Sequence, residues 1–245
     1  MCLILLSWQP EANHKLVVAA NRDEHFARPS ETAHFWPDAP AIFAGRDQEF
    51  GGTWMGLSRN GRFAAVTNLR QQSELGKMSR GNLVRDFLQD TRSATVFFDE
   101  LENQKRNYRP FNLVASDGKQ LFLTDNVSPG WVSLAPGTHA IGNLPISTPS
   151  IKREKGLTDF EQCLGQQLDA TSLLAMLTDS AVSEPDNNLL YQELSRRFVS
   201  MKEYGTRSCS VVFQQQNGDS DFWEQNFDAQ QSALPLRHHH ITADN

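Results

Sequence analysis

The stretch MCLILLSWQP (Met1–Pro10) puts a thiol in second position, directly ahead of a short apolar run that ends in Gln9, Pro10 and Glu11. Leu3 to Leu6 is too short for the apolar segment of a secretory leader, and no Lys or Arg precedes it. Cys2 stands where a myristoylation signal needs glycine, and the chain carries no C-terminal prenylation box. The run therefore reads as a strand with a cysteine at its mouth, and the expected location is cytoplasmic. A small second residue is what initiator-methionine aminopeptidases require. Loss of Met1 would leave Cys2 with a free α-amine, whose reference pKa of about 7.7–8.0 lies well below the lysine value of about 10.4. Thiol and base would then belong to one residue, the N-terminal form of an activated nucleophile.

Working outward, Leu3–Trp8 and Lys15–Ala20 read as two strands of a hairpin joined by the turn-forming residues 9–13. Thr53–Ser58 and Arg62–Asn68 flank Asn60-Gly61, a hairpin signal because both residues tolerate positive φ. Leu83, Val84, Phe87 and Leu88 fall at helical spacing within Ser79–Gln89, and Ser93 would cap a second helix through Asn103. Strands return at Phe111–Ser116 and Gln120–Thr124, with shorter ones at Trp131–Leu134 and His139–Gly142. Ser150 to Met201 is mostly helical, its last helix carrying Leu190, Leu194, Arg197 and Phe198. Ser208–Gln215 and Asp221–Asn226 close the pattern as a hairpin around Asn217-Gly218-Asp219. Strands at both ends with helices between predict sheets covered by helical layers, an α+β fold. No repeat, low-complexity segment or Pro-rich linker divides the chain, so residues 1–245 are expected to form a single domain.

The formal charge of −6 offers no general attraction to phosphate backbones, so nucleic acid is not an expected partner, and no run approaches the length of a membrane span. Three cysteines without a Cys-x-x-Cys pair signal neither a disulfide framework nor a zinc site; Cys163 and Cys209, each in an apolar element, read as buried fillers. His238-His239-His240 reads as a solvated tail, since three adjacent side chains cannot all face one ion, and no metal is expected. Oligomeric state is not legible.

A thiol nucleophile needs a nearby cation, an acceptor for the amine and donors for the oxyanion. Candidates stand where the strands are expected to end: Asn21-Arg22-Asp23-Glu24, Asn68, Asn143 and Arg207. Equally, Asn and Asp at such positions are turn formers and Arg a solvated face. On an extended segment Arg22 and Glu24 share one face and Asn21 and Asp23 the other. Gly51-Gly52-Thr53-Trp54 reads two ways, as a pocket wall supplied by Trp54 or as a strand entry needing unusual φ.

The opening Met1-Cys2, AANRDEHFARP (19–29), GGTWMGLSRNGRFAAVTNLR (51–70), IGNLP (141–145) and YGTRS (204–208) together resemble the NRDE-motif family, also called the transport and Golgi organisation protein 2 family. The resemblance implies a four-layered αββα sandwich of the N-terminal nucleophile hydrolase type, near the choloylglycine hydrolase and penicillin V acylase branch. It implies Cys2 as nucleophile, Arg22 and Asp23 as the cation and acceptor beside it, Asn68 and Asn143 as oxyanion and substrate amides, and Arg207 as a second cation. One departure stands out. That acylase branch spaces its Arg and Asp as Arg-Asn-x-Asp, whereas Arg22 and Asp23 are adjacent and point opposite ways on a strand unless a bulge intervenes. Asn21 or Glu24 remains a substitute for Asp23.

Two functions follow from the resemblance. The first is a cysteine amidohydrolase acting on non-peptide carbon–nitrogen bonds, which requires no cofactor. The second is a non-catalytic carrier of haem within the cell, with His14, His139, a Met or Cys2 as axial ligand. His139 also suits a hydrogen-bonded structural role. Either way the expected partner is a small amphipathic molecule, an amide substrate or haem.

Overall fold

The structure, a computed structural model, describes residues 2–9, 13–70 and 76–244. The questions of Met1 removal and of residues 10–12 of the first turn fall outside them. Two antiparallel sheets lie face to face. The first runs β10 (Gly137–Ile141), β1 (Leu3–Trp8), β2 (His14–His25), β11 (Tyr204–Gln215), β12 (Ser220–Asn226), β13 (Arg237–Ile241). The second is a meander of β3 (Ser30–Trp36), β4 (Ala39–Asp47), β5 (Met55–Ser58), β6 (Phe63–Asn68), β7 (Phe111–Ser116), β8 (Leu121–Asp125) and β9 (Val132–Ser133).

Strand alternation builds three cores from these sheets. Ile4, Leu6, Trp8, Leu16, Val18 and Ala20 point inward and pack with Phe43, Met55, Leu57 and Phe63 between the sheets. Leu3, Leu5, Val17 and Ala19 point outward, against Phe160 of α3 (Ile151–Leu164) and Leu173, Leu174 and Leu177 of α4 (Ala170–Leu177). On the far side, Leu83, Val84, Phe87 and Leu88 of α1 (Gly81–Gln89) and Phe98 and Leu101 of α2 (Ala94–Gln104) cover Ala44, Ala64, Val66 and Leu113. The result is the expected four-layered αββα sandwich. Buried on both faces, β1 and the first half of β2 can be apolar at nearly every position. Close layer packing also fixes glycine at 56, where a Cβ would lie 2.8 Å from the Ala44 Cβ and 3.0 Å from Leu88.

Some expectations are corrected. β2 does not stop at Ala20; it continues to His25 because β11 pairs with it over its whole length, as far as Tyr204 opposite His25. Asn21-Arg22-Asp23-Glu24 is therefore strand rather than turn. The last helix, α5 (Leu189–Ser195), ends before Arg197 and Phe198. The histidine run is not a free tail: β13 pairs with β12, His238 and His240 both contact Asp221 Oδ1 (2.9 and 3.1 Å), and His239 packs its ring 5.0 Å from Phe43.

Asn21 ties sheet to helices. Fully buried, its Nδ2 donates to the carbonyls of Leu177 and Arg197, both at 2.9 Å, and so satisfies two acceptors where α4 ends and where the chain leaves α5. Asn21→Ala would leave both unpaired in a dry interface, at about 1–3 kcal/mol for a group so orphaned. The expected loss is about 2–4 kcal/mol of unfolding free energy, read from a lowered midpoint in urea at unchanged slope.

Candidate active site

β1 and β2 run antiparallel with Leu3 opposite Asn21, and the next step of that register sets Cys2 beside Arg22. By parity Cys2 continues the inward row of Ile4 and Leu6, and Arg22 and Glu24 continue that of Val18 and Ala20. Thiol and guanidinium thus share the inter-sheet face. Asn21 and Asp23 take the opposite, helix-facing side. Of the two residues expected to flank the sulfur, Arg22 shares its face of the sheet, whereas Asp23 brings only its carbonyl, 4.0 Å from the Cys2 Sγ.

The Asp23 carboxylate is fully buried on the helix side. Its Oδ1 accepts from the Thr206 hydroxyl at 2.7 Å, while Thr206 Oγ1 in turn accepts from the Val199 amide at 2.9 Å. Its Oδ2 lies 3.9 Å from Lys152 Nζ, at the start of α3. Of the two substitutes, Asn21 gives its Nδ2 to the helix carbonyls while its buried Oδ1 has no partner among the described residues, and Glu24 lines the cavity beside Cys2, accepting from the His25 amide at 2.9 Å and facing Arg28 at 3.7 Å.

Cys2 is only 7% exposed and borders two cavities. The first, about 210 Å³, lies between the sheets and is lined by Arg22, Arg80, Arg207, Glu24, Asn68 and Trp54 among others. Arg22 makes no hydrogen bond or ion pair with any described residue. Arg80 donates to the Pro110 carbonyl at 3.2 Å, and Arg207 braces the loop after β2 through the carbonyls of His25, Phe26 and Arg28 at 3.0–3.2 Å. Arg207 is the extra residue of a β-bulge, since Thr206 opposes Asp23 and Ser208 opposes Arg22. The bulge lies in the partner strand and leaves the alternation of the NRDE run intact. Burial pushes the Cys2 thiol above its ordinary pKa, the Asp23 charge adds to this, and the Arg22 charge opposes it only weakly.

The second cavity, about 240 Å³, opens on the helix side and is lined by Leu3, Arg70, Asn143, Lys152, Tyr191 and Leu194 with Cys2. It shares Arg70, Asn143 and Leu194 with a groove of about 310 Å³ that adds Leu190, Met201 and Tyr204. Asn143 and Asn68 come together here. The turn after β10 is stapled to the second sheet: Thr67 Oγ1 and Asn112 Nδ2 donate to the Gly142 carbonyl at 2.5 and 2.9 Å, and Arg70 N donates to the Asn143 carbonyl at 2.7 Å. Asn143 Nδ2 donates to the Asn68 carbonyl at 2.8 Å. The Asn68 side-chain amide has no partner among the described residues.

Both readings of the glycine-rich entry hold. Trp54 lines the first cavity, Gly51 has φ +70°, and a Cβ on Gly52 would lie 2.5 Å from the Gly81 carbonyl carbon, so glycine seats the start of α1 beside Arg80. Two expected site residues, Asn21 and His139, line none of these spaces. On the edge strand β10, His139 Nε2 meets the Ala135 carbonyl at 2.9 Å. Lys152, Arg80 and Thr206 were not singled out from sequence. Thr206 sits inside the YGTRS run, whereas Lys152 and Arg80 carry no local signal, each being one more cation near a helix start. Among the described residues no helix is long and apolar enough to cross a membrane, and no group of three His, Cys, Asp or Glu side chains could hold a metal ion.

The fold has a counterpart among known structures, and the sequence has relatives. The structure is similar to penicillin V acylase from Agrobacterium tumefaciens, with a TM-score of 0.52 at 12% identity over 98% of this chain and 86% of that one. That likeness gives the fold, an N-terminal nucleophile hydrolase sandwich. In sequence, the chain is 30% identical to the Transport and Golgi organization protein 2 homolog of Homo sapiens and 31% identical to that of Bos taurus, each over 91% of this chain and 92% of the relative. The family model described as Transport and Golgi organisation 2 matches residues 1–229. The chain belongs to the Transport and Golgi organisation 2 family.

Proposed function

We propose that the protein is a cysteine amidohydrolase that cleaves a non-peptide carbon–nitrogen bond, with Cys2 as nucleophile. The observation that carries this reading is the place of the sulfur, at the join of two cavities, with a guanidinium on its own face that makes no hydrogen bond or ion pair with any described residue. A carbonyl held at the junction would send one arm of its substrate among Arg22, Arg80 and Arg207 and the other toward Tyr191 and Leu194. An amphipathic amide with an anionic end suits such walls.

Burial keeps the resting thiol protonated at neutral pH, so the reaction needs a base. Removal of Met1 would supply the α-amine of Cys2. The thiol proton passes to that amine as sulfur bonds to the carbonyl carbon, and the oxyanion is met by the free Asn68 amide. Collapse breaks the carbon–nitrogen bond, the leaving amine takes the proton, and water then cleaves the thioester. The similarity of fold to an acylase supports amide chemistry without naming a substrate. Haem carriage has weaker support: His139 is held by its own loop, away from the cavities.

Three outcomes are expected. In a panel of N-acyl amides bearing a carboxylate, Cys2→Ala abolishes turnover, and equal rates for wild type and variant would end the proposal. Asn68→Ala lowers kcat by about 10²–10³-fold, the usual effect of removing one oxyanion donor, with little change in thermal midpoint. Intact mass of active protein shows a chain starting at Cys2; activity in a preparation wholly retaining Met1 would exclude the amine as base.

A further inference from the structure

We infer that Lys152 is a positioning residue for Cys2, the helix-side cation that keeps the thiol within reach of its nucleophilic state. The inference rests on the reading of Cys2 as nucleophile. It adds a residue that neither the NRDE run nor the other family-like stretches contain.

Lys152 occupies the first turn of α3, behind the Ser150 cap, whose hydroxyl accepts from the Arg153 amide. From there the side chain runs inward rather than out to water and is 12% exposed. An ammonium so placed is costly to bury, and an apolar side chain of like volume would pack there at less expense. Two contacts hold it: Nζ donates to the Leu194 carbonyl at 3.2 Å and lies 3.9 Å from Asp23 Oδ2. The second is long for a tight ion pair. Thr206 already fixes the carboxylate, with its single proton on Oδ1 and an acceptor position occupied by Val199. Lys152 is thus not required merely to orient Asp23. What its position does achieve is to bring a positive charge to the wall of the cavity that Cys2 also lines.

The charges around this space run in both directions. Burial, together with Arg70 beyond β6 and Arg197 beyond α5, pulls the Lys152 pKa down, whereas Asp23 from β2 and Cys2 just ahead of β1 hold its proton on. Arg197 is itself engaged by Asp159 and by Asp179. Arg153, Glu184 and Asp186 complete the charged lining. On the thiol's other side stand Arg22, Arg80 and Arg207, with the Glu24 carboxylate among them. Desolvation and the Asp23 charge both oppose the thiolate. Arg22 opposes them within the sandwich, and Lys152 is the cation on the other face, beneath the helices, with Cys2 among the groups that act on its charge.

The test is the pH dependence of Cys2 alkylation by iodoacetamide, followed by mass of the N-terminal peptide, in the full chain. Lys152→Gln keeps a donor for the Leu194 carbonyl and removes the charge. It is expected to raise the midpoint by about one pH unit and to slow alkylation at pH 7 by up to about tenfold, the lower end of what one close opposite charge does. Lys152→Arg restores the wild-type rate to within about twofold. A folded Lys152→Gln protein with an unmoved midpoint overturns the inference, as does failure of Lys152→Arg to restore it. Should Lys152→Gln not fold, Asp23→Asn is read in the same way; it lowers the midpoint if helix-side charge reaches the thiol, and an unchanged midpoint is again fatal. Alkylation needs no turnover, so a shifted midpoint without amide cleavage leaves Lys152 in its role while the hydrolase reading falls. Cleavage with an unshifted midpoint does the reverse.

Discussion

Everything at the site depends on one strand pairing. β1 lies between β10 and β2 in the middle of a sheet buried on both faces, and its register with β2 is locked by apolar side chains that would all change sides on a one-residue slip. With Leu3 against Asn21, the thiol follows on the inward face and meets Arg22 there. The catalytic candidate thus sits at the end of a strand paired on both edges and packed on both faces, its inward residues in one core and its outward residues in another. Among the described residues the thiol's one polar contact is a 4.0 Å approach to a carbonyl, too long to orient the sulfur.

The same alternation explains why the site has two sides. One strand separates the inter-sheet space from the space beneath α3 and α5, and a residue at its tip borders both. Polar groups are distributed accordingly. Arginines gather between the sheets where the strands run out, and a buried carboxylate, hydroxyl and ammonium cluster under the helices. Burial of this kind raises the cost of charging the thiol, so the charges nearby decide whether a nucleophile can form at all. Asn21 plays no part in that chemistry, yet it docks the helical layer that roofs the second cavity.

Family and fold speak to different levels. Thirty per cent identity across nearly the full length places the chain among the Transport and Golgi organisation 2 proteins, while the acylase similarity describes the scaffold. A shared scaffold leaves chemistry open, because function is set by side chains at the site. The adjacent Arg22 and Asp23 illustrate this. Adjacent on an unbroken strand, their side chains are divided across the sheet, and the β11 bulge at Arg207 returns a second cation to the Arg22 side.

Much was legible in the sequence because it follows from local rules. The apolar runs of Leu3–Trp8 and Phe111–Ser116, the Asn60-Gly61 hairpin and the 83/84/87/88 stripe of α1 each obey a period that one segment displays alone. Period two also foretold that Arg22 would part from Asp23. The family-like runs marked Cys2, Asn68, Asn143 and Arg207, which the fold does gather. What the sequence could not decide is whatever depends on a partner strand or on burial. β2 runs on through Asn21–Glu24 only because β11 pairs with it, and the histidine run becomes an edge strand only because β12 offers a free edge. Lys152 in the sequence is an ordinary lysine near a helix start. Its inward path beneath the sheet, toward Asp23 and the thiol's second cavity, exists only once α3 is docked, because desolvation and proximity are properties of the assembled layers.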